Sequence, residues 1–397
     1  MRGPSGAPGA RHRTDCVRPG ARALTRTDGR RAARGEAGRG EAARGEALAT
    51  ELRAAMATLD PPRLVHRPGD VAAALRRLLP RLAAEAAPDP EALPFRFDPA
   101  ATAAAIGRDL AALHRRMAGS GRPSLPALLA AAYDALGMDP ATPERRVAMV
   151  AAVLAQVTPA PRYHNARHTR EVVADAIWLA AATPELGAGD RALLYLAAAV
   201  HDLGHDGGTN ERTDRHGRRR WIPGFLEDRS LALILPVARR AGVAAARCED
   251  LATMVRQTDI VARPALTALH DVVLGGAGGG GAGDDGADGG GRRLDAPADK
   301  GLARLRSRPG VLRTAALLAD ADVMASAGLS RASQKLQDSR FAAERGIATT
   351  RDGTLLFLDR MLGGRFITAA GRRLDPNLAR LRAAIAAASA TGGRDDA

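Results

Sequence analysis

The chain has 397 residues, two cysteines and a formal net charge of +14. Two cysteines are too few for a disulfide framework or a CxxC zinc site, so a disulfide-rich secreted domain is excluded. No run approaches about 18 apolar residues, and the N-terminus lacks the apolar segment of a secretory signal, which favours a cytoplasmic protein without membrane-spanning helices.

Arginine supplies nearly all of the positive charge. The first 47 residues hold eleven arginines against five acidic residues, and lysine occurs only at Lys300 and Lys335. A basic run of this kind is more often a solvated stretch than a nucleic-acid surface. We therefore predict no nucleic-acid partner from the charge.

The N-terminal 50 residues repeat the motif Arg-Gly-Glu-Ala at Arg34, Arg39 and Arg44 and contain almost no large apolar side chains. Such a segment cannot bury enough surface to offset its loss of chain entropy, so it is predicted to be disordered. Residues 51–100 are predicted to form a poorly defined lead-in with one helix near 72–84. Met56 is a candidate alternative start.

From residue 101 to 390, apolar residues recur with helical periodicity, and alternating strand-like runs are nearly absent. The predicted fold class is all-α, a compact multi-helix domain. The predicted helices span 101–118, 125–136, 143–156, 168–182, 190–201, 227–241, 244–259, 311–327, 332–345 and 375–388. Residues 275–291, almost entirely Gly, Ala and Asp, are predicted to be a disordered insertion within this domain, with a hinge between two domains as the alternative.

Four of the nine histidines lie in two short clusters, at residues 163–168 and 201–205. His164 and His168 are spaced i, i+4, which places both on one face of a helix. The apolar run at 192–200 predicts a buried helix that brings His201 and Asp202 into the interior. Because a buried carboxylate beside a buried imidazole is costly unless the two are paired or bind a metal, the pattern predicts a metal site.

Other interpretations of these clusters are weaker. A lone buried histidine is usually a core residue, but two clusters are rarely both structural. A pair of histidines at i, i+4 also occurs in zinc proteases, which need a glutamate after the first histidine, and here that position is Asn165. His201 and Asp202 could simply be the charged end of a helix, but such an end usually has one glycine in its cap. Here three glycines, Gly204, Gly207 and Gly208, follow His201.

Together the two clusters resemble the HD-domain phosphohydrolases, and within them the catalytic domain of class I cyclic-nucleotide phosphodiesterases. That family carries Tyr-His-Asn-x-x-His, and then a helix that ends in His-Asp-x-x-His-x-Gly-x-x-Asn. This chain has Tyr163-His164-Asn165-x-x-His168 and His201-Asp202-x-x-His205-x-Gly207-x-x-Asn210. Weaker similarity extends over about residues 140–365.

The resemblance implies metal coordination by two histidines and two aspartates. The implied ligands are His168, His201, Asp202 and Asp322. Asp322, which precedes Val323, fits the family pattern better than Asp320, and Asp320 stays the alternative. Two divalent ions are implied, Zn, Fe or Mn in the tighter site and Mg or Mn in the second, which would hold a bridging hydroxide as the nucleophile.

The resemblance also implies a general acid and a set of supporting side chains. His164, one helical turn from a ligand, would protonate the leaving oxygen. The implied supporting residues are Asn165, His205, Asn210, Glu227 and Asp259. Either Glu227 or Asp259 is expected to hold His164 in its productive tautomer.

The chain departs from the family in base recognition. Class I phosphodiesterases hydrogen-bond the base with a late glutamine and sandwich it with aromatic rings. Here Gln334 and Gln337 are the only glutamines after Asp322, and neither lies where that glutamine is expected. The aromatic residues near the end are few, chiefly Phe341, Phe357 and Phe366.

These features predict metal-dependent hydrolysis of a phosphoester, with a cyclic nucleotide first among small phosphoester substrates. One alternative is an HD-type nucleotidase or phosphatase that acts on another metabolite, which the scarcity of aromatic residues favours. Another is a regulatory module that merely holds metal and binds an acidic partner. The complete ligand set and the retained His164 argue against that module.

Overall fold

A computed structural model describes residues 26–59, 68–85, 98–157, 161–275 and 300–387. The chain divides into two compact units, Met1–Gly40 and Glu41–Ala397. In the first unit the described residues, 26–40, are helical.

The regular secondary structure of the described residues is almost entirely helical, which confirms the predicted all-α class. The helices are α1 (Arg26–Leu59), α2 (Pro68–Ala83), α3 (Ala103–Ser120), α4 (Leu125–Asp134), α5 (Pro143–Leu154), α6 (Ala166–Ala181), α7 (Ala188–Val200), α8 (Phe225–Ala241), α9 (Ala245–Arg256), α10 (Arg263–Leu274), α11 (Lys300–Ser307), α12 (Pro309–Ala327), α13 (Arg331–Arg345), α14 (Arg351–Leu356), α15 (Ala369–Arg372) and α16 (Asp375–Ala387), with a π-helical turn at Phe357–Met361. Strands β1 (Glu211–Thr213) and β2 (Arg219–Trp221) form an antiparallel hairpin in which Glu211 pairs with Trp221.

Helix α1 begins inside the segment for which composition predicts disorder. Its C-terminal half buries Leu48, Leu52, Met56 and Leu59, which recur every three or four residues and so form one apolar stripe. Glu51 on the same helix accepts hydrogen bonds from the Arg145 guanidinium on α5 at 2.7 and 2.8 Å. The stripe begins only at Leu48, near the end of the first 50 residues, so the average composition of those residues conceals it. Residues 1–25 lie outside the described part of the chain.

The glycine-rich run also lies outside the described residues, apart from Gly275. The insertion therefore stays a prediction, as does the division into tail, lead-in and domain. Helix α2 matches the predicted helix near 72–84. None of the helices in the described ranges is both long and apolar enough to cross a bilayer.

Helices α6, α7 and α12 pack against one another at the centre of the second unit. Helix α7 is buried on every side from Ala192 to Val200, and α12 is buried along most of its length. A helix that is apolar all round must be surrounded by protein, which explains its central position. The chain thus leaves α7 at His201 already deep inside the structure.

A buried acidic side chain on α12 joins three parts of the fold. Asp320 accepts a hydrogen bond from Arg263 Nη2 of α10 at 2.7 Å and bonds from the backbone N–H groups of Ile367 and Thr368 at 2.9 and 2.8 Å. Gly371 lies so close that a Cβ atom there would be 2.5 Å from Asp320 Oδ2. Asp320 is therefore a structural anchor for the segment that precedes α15.

Removal of this carboxylate should destabilise the protein strongly. In Asp320→Ala the buried Arg263 guanidinium loses its partner, and we expect the free energy of unfolding to fall by about 3–5 kcal/mol. Urea unfolding of the metal-free protein, followed by circular dichroism, measures this. The matched control is Asp359→Ala, which removes a surface pair with Arg382 and should cost less than about 1 kcal/mol. Equal losses in the two variants would contradict the anchoring role.

Candidate metal centre

Two imidazoles and two carboxylates converge at one point between α6, α7 and α12. His168 Nε2 lies 3.1 Å from Asp322 Oδ1 and 3.5 Å from Asp202 Oδ2. His201 Nε2 lies 3.2 Å from Asp202 Oδ2 and 3.5 Å from Asp322 Oδ1. The structure thus brings together the four side chains that the resemblance implies as ligands, although 154 residues separate His168 from Asp322.

The hydrogen bonds of His201 aim one ring nitrogen at this point. Its Nδ1 lies 2.9 Å from the carbonyl oxygen of Ala198, so Nδ1 carries the proton and donates. In the neutral ring, Nε2 then presents its lone pair to the cluster. His201 Nε2 and Asp202 Oδ2 are both buried without a hydrogen-bond partner among the described residues. Because buried polar atoms are rarely left unsatisfied, this donor set fits a divalent metal ion of the transition series.

The electrostatics of the cluster follow from its opposite charges. Burial opposes ionisation of Asp202 and Asp322, but the neighbouring histidines outweigh it and hold the pKa of both carboxyls below the usual range. Burial likewise opposes protonation of His201, yet the two aspartates raise its pKa well above the ordinary value. Both carboxylates are therefore ionised, and a bound cation would take the place of the proton on His201 Nε2.

Asp320, the alternative to Asp322, points elsewhere. Two residues along an α-helix are about 200° apart around its axis, so only one of these aspartates can face the cluster. Asp320 is fully buried and its oxygens are occupied by Arg263, Ile367 and Thr368. The geometry favours Asp322 as the fourth ligand.

His164 lies beside the cluster and is held by a residue that the sequence did not indicate. Its Nδ1 lies 2.5 Å from Glu344 Oε1, and Glu344 Oε2 accepts hydrogen bonds from the backbone N–H groups of Tyr163 and His164 at 2.6 and 3.0 Å. Burial opposes ionisation of Glu344, but these bonds from His164 lower its pKa to about 2. Glu344 is thus a fixed carboxylate that orients the His164 ring.

The expectation that Glu227 or Asp259 holds His164 is wrong. Both carboxylates instead accept hydrogen bonds from Asn210 Nδ2, at 3.2 and 3.0 Å. Asn210 Oδ1 in turn accepts a bond from the backbone N–H of Leu226 at 2.9 Å, which fixes the first turn of α8. The motif placed these residues near the site, but no local pattern could assign Glu344, which is 180 residues from His164.

Asn165 and His205 support the site in different ways. Asn165 is the N-cap of α6, where its Oδ1 accepts bonds from the backbone N–H groups of Arg167 and His168 at 3.0 and 3.4 Å. The His205 ring stacks on the His164 ring at a centroid distance of 3.6 Å, and its Nδ1 accepts a bond from the Gly207 N–H at 3.0 Å. Burial and the charge of His164 lower the pKa of His205 to about 4, so His205 is neutral.

A cavity of about 450 Å³ opens beside the cluster. Its lining includes Asp202, Asp322 and His164, together with apolar residues such as Trp221, Ile260, Phe341 and Phe357. Phe366, by contrast, is fully buried in the core. The cavity therefore joins a polar end that carries the candidate ligands to an apolar region.

The two late glutamines are engaged by neighbouring charged side chains. Gln337 lines the cavity, yet its Nε2 donates to Glu171 at 3.0 Å and its Oε1 accepts from Arg340 at 3.4 Å. Gln334 donates to Asp338 and accepts from Arg331. Neither amide is therefore free to recognise a base without giving up these bonds.

No protein-family model matches the chain, and no curated protein matches it. Among solved structures, it is similar to the phosphodiesterase domain of the RhoPDE fusion protein from the choanoflagellate Salpingoeca rosetta, at 15% identity and a TM-score of 0.44, covering 71% of this chain and 89% of that one. It is also similar to LmjPDEB1 in complex with IBMX, at 15% identity and a TM-score of 0.47, covering 77% and 98% of the two chains.

Glu227 should make stability depend on pH. Burial raises the pKa of Glu227 to about 7, so the folded protein holds a proton that the unfolded chain releases near pH 4.5. The protonated Glu227 carboxyl makes its full contribution to the free energy of unfolding below pH 4.5, and this contribution is lost as the pH rises towards 7. Relative to Glu227→Gln, the metal-free wild type should lose up to about 3 kcal/mol of unfolding free energy over that interval. Parallel pH profiles for the two proteins would refute the raised pKa.

Proposed function

We propose that this chain is a metal-dependent phosphohydrolase that cleaves a phosphodiester, with a cyclic nucleotide or related nucleotide as the first substrate class. The observation that carries the proposal is the convergence of His168, His201, Asp202 and Asp322 at the wall of a cavity, with a carboxylate-bound His164 beside them. Metal ligands alone would be equally consistent with an ion that has only a structural role. The positioned histidine in the same cavity is the feature that favours a catalytic role.

The four converging side chains would hold the metal in the tighter site. A second, harder ion would share Asp202 and otherwise bind water. When bound, such ions polarise the phosphoryl oxygens and lower the pKa of a water molecule that attacks phosphorus. Asp202 suits the shared position because its carboxylate is ionised and its Oδ2 has no hydrogen-bond partner in the described residues.

His164 is suited to act as the general acid. Its Nδ1–H donates to the ionised Glu344, so the ring is held in one orientation. The opposite nitrogen, Nε2, then carries the proton that passes to the leaving oxygen as the phosphorus–oxygen bond breaks. The stacked His205 stays neutral, so it does not compete for that proton. Glu344 is a positioning residue in this mechanism.

A second candidate is a nucleotidase or phosphatase that acts on another metabolite. It is favoured by the bonding of Gln334 and Gln337, whose amides contact charged neighbours rather than open space in the cavity. A screen of the purified protein with Mn²⁺ or Mg²⁺ separates the two. It compares 3′,5′-cyclic nucleotides, nucleoside monophosphates and bis-p-nitrophenyl phosphate. Hydrolysis of no substrate with any of these metals would overturn the proposed function.

Substitution of a metal ligand should have a different effect on bound metal from substitution of a nearby carboxylate that is not a ligand. We expect His201→Ala and Asp322→Ala to lose bound metal and activity together, since the attacking water depends on the ion. Asp338→Asn is the matched control, because Asp338 lines the same cavity but bonds to Thr354 and Gln334. It should retain metal. Metal analysis of the dialysed proteins checks this, and full retention of metal by Asp322→Ala would exclude it as a ligand.

The role of His164 predicts an effect that depends on the leaving group. His164→Ala should keep its metal and lower turnover by about 10²- to 10⁴-fold on a substrate with an alkoxide leaving group. An activated aryl leaving group departs without a proton, so the loss there should be much smaller.

Glu344→Gln provides the companion test. This variant should also lower turnover more for the alkoxide than for the aryl leaving group, but by a smaller factor than His164→Ala. The reason is that glutamine keeps the hydrogen bond to His164 but not the negative charge. If His164→Ala loses metal as completely as His201→Ala, then His164 is a ligand and not the acid.

A further inference from the structure

Arg345 is a cation that faces the cavity. Among the described residues that line it, Arg345 is the only lysine or arginine. It is the last residue of α13, directly after Glu344, and is half-buried. Its guanidinium lies over the Phe341 ring, 5.2 Å from the centroid, so an aromatic face holds it on one side.

No carboxylate in the described ranges forms an ion pair with Arg345. Two acidic residues, Glu344 and Asp206, are close enough to act on its charge. Each is already engaged, Glu344 by His164 and Asp206 by Arg229. The hydrogen bond of Arg345 Nη1 goes to the carbonyl oxygen of Gly207, at 3.3 Å. Most of the donor capacity of this guanidinium therefore remains for a ligand, since arginine has five N–H donors.

The contacts of Arg345 connect it to His164, the candidate general acid. Gly207, which accepts the bond from Arg345, donates its N–H to His205, and His205 stacks on His164. Gly207 has φ +82°, and a Cβ atom there would be 3.3 Å from Glu344 Cγ, so glycine permits this close approach. Arg345 therefore lies on the side of the general acid, which is the side from which the leaving group departs.

Resting on the proposed function, we propose that Arg345 binds a second phosphate carried by the leaving group. The substrate class is then a nucleoside phosphodiester with two phosphates, the scissile one at the metal centre and the other at Arg345. Water forms the new bond to phosphorus, the bond from phosphorus to the 3′ oxygen of the leaving nucleoside breaks, and that oxygen takes its proton from His164. Arginine suits the second phosphate because its planar guanidinium can make two parallel hydrogen bonds to it.

Two linear dinucleotides that differ by one phosphate test the kinetic consequence. In ApA the leaving group is adenosine, whereas in pApA it carries a 5′-phosphate. For the Mn²⁺-loaded full chain we expect kcat/KM to be about 10- to 100-fold higher for pApA, mainly through KM. Arg345→Gln should bring the ratio of the two substrates close to one, and Arg345→Lys should restore part of it. Because each ratio is measured within one protein, partial misfolding of a variant does not imitate the result.

Arg219→Gln is the matched control for general electrostatic attraction. Arg219 lies on the hairpin with its side chain 75% exposed and does not line the cavity. This variant should keep the wild-type preference for pApA. A wild-type ratio near one, or an equal loss of preference in Arg219→Gln and Arg345→Gln, would overturn the assignment to Arg345.

A binding measurement separates failure of this inference from failure of the proposed function. Calorimetry of the metal-loaded protein compares adenosine 3′-phosphate with adenosine 3′,5′-bisphosphate. We expect the bisphosphate to bind at least about 10-fold more tightly, and Arg345→Gln to remove the difference. Equal affinities in a protein that hydrolyses phosphodiesters would overturn the second-phosphate site alone. A clear preference in a protein that hydrolyses none of the substrates would instead overturn the proposed function and leave the anion site standing.

Discussion

Two carboxylates and two imidazoles meet at one buried point, and the arrangement of the surrounding residues depends on how these four groups are satisfied. Asp202 and Asp322 are ionised there, and His201 is locked by a backbone carbonyl so that its other nitrogen faces them. Such a concentration of polar atoms in an apolar interior is costly unless a cation joins it. The surrounding helices are correspondingly well packed, and α7 delivers His201 from a fully apolar segment. Helices α6 and α12 carry His168 and Asp322, and the turn that directly follows α7 carries His201 and Asp202, so packed helices hold the donors in place.

Around this point, each acidic side chain has a specific partner. Glu344 binds His164, Asp320 binds Arg263, and Glu227 shares Asn210 with Asp259. The groups that face the cavity include Asp202 and Asp322, which lie against the two histidines, and Arg345, which forms no ion pair with a carboxylate in the described ranges. The pattern separates the groups that maintain the fold from those that can act on a ligand. It also explains how two neighbouring aspartates on α12 have unrelated roles.

Local sequence patterns predicted much of this protein. The apolar period predicted the all-α class, and the motifs at 163–168 and 201–210 singled out His168, His201 and Asp202. Asn165 and Asn210 were expected near the site, and both make hydrogen bonds that fix helix starts. The composition of the first 50 residues did not reveal the apolar stripe of α1, because that stripe begins only at Leu48. The assignment of Glu227 or Asp259 to His164 failed because a motif places residues near a site without defining which atoms meet.

What the sequence determined by itself is local: which segments are helical, and which side chains leave a helix beside a buried run. Helical periodicity and short-range spacing depend on neighbours within one or two turns, so they can be inferred along the chain. Only the tertiary structure decided that Asp322 and not Asp320 faces the histidines, that Glu344 holds His164, and that Arg345 faces the cavity. Each of these contacts joins residues more than 100 positions apart. Their geometry depends on how α12 and α13 pack, to within a fraction of a helical turn, and no local pattern encodes that rotation.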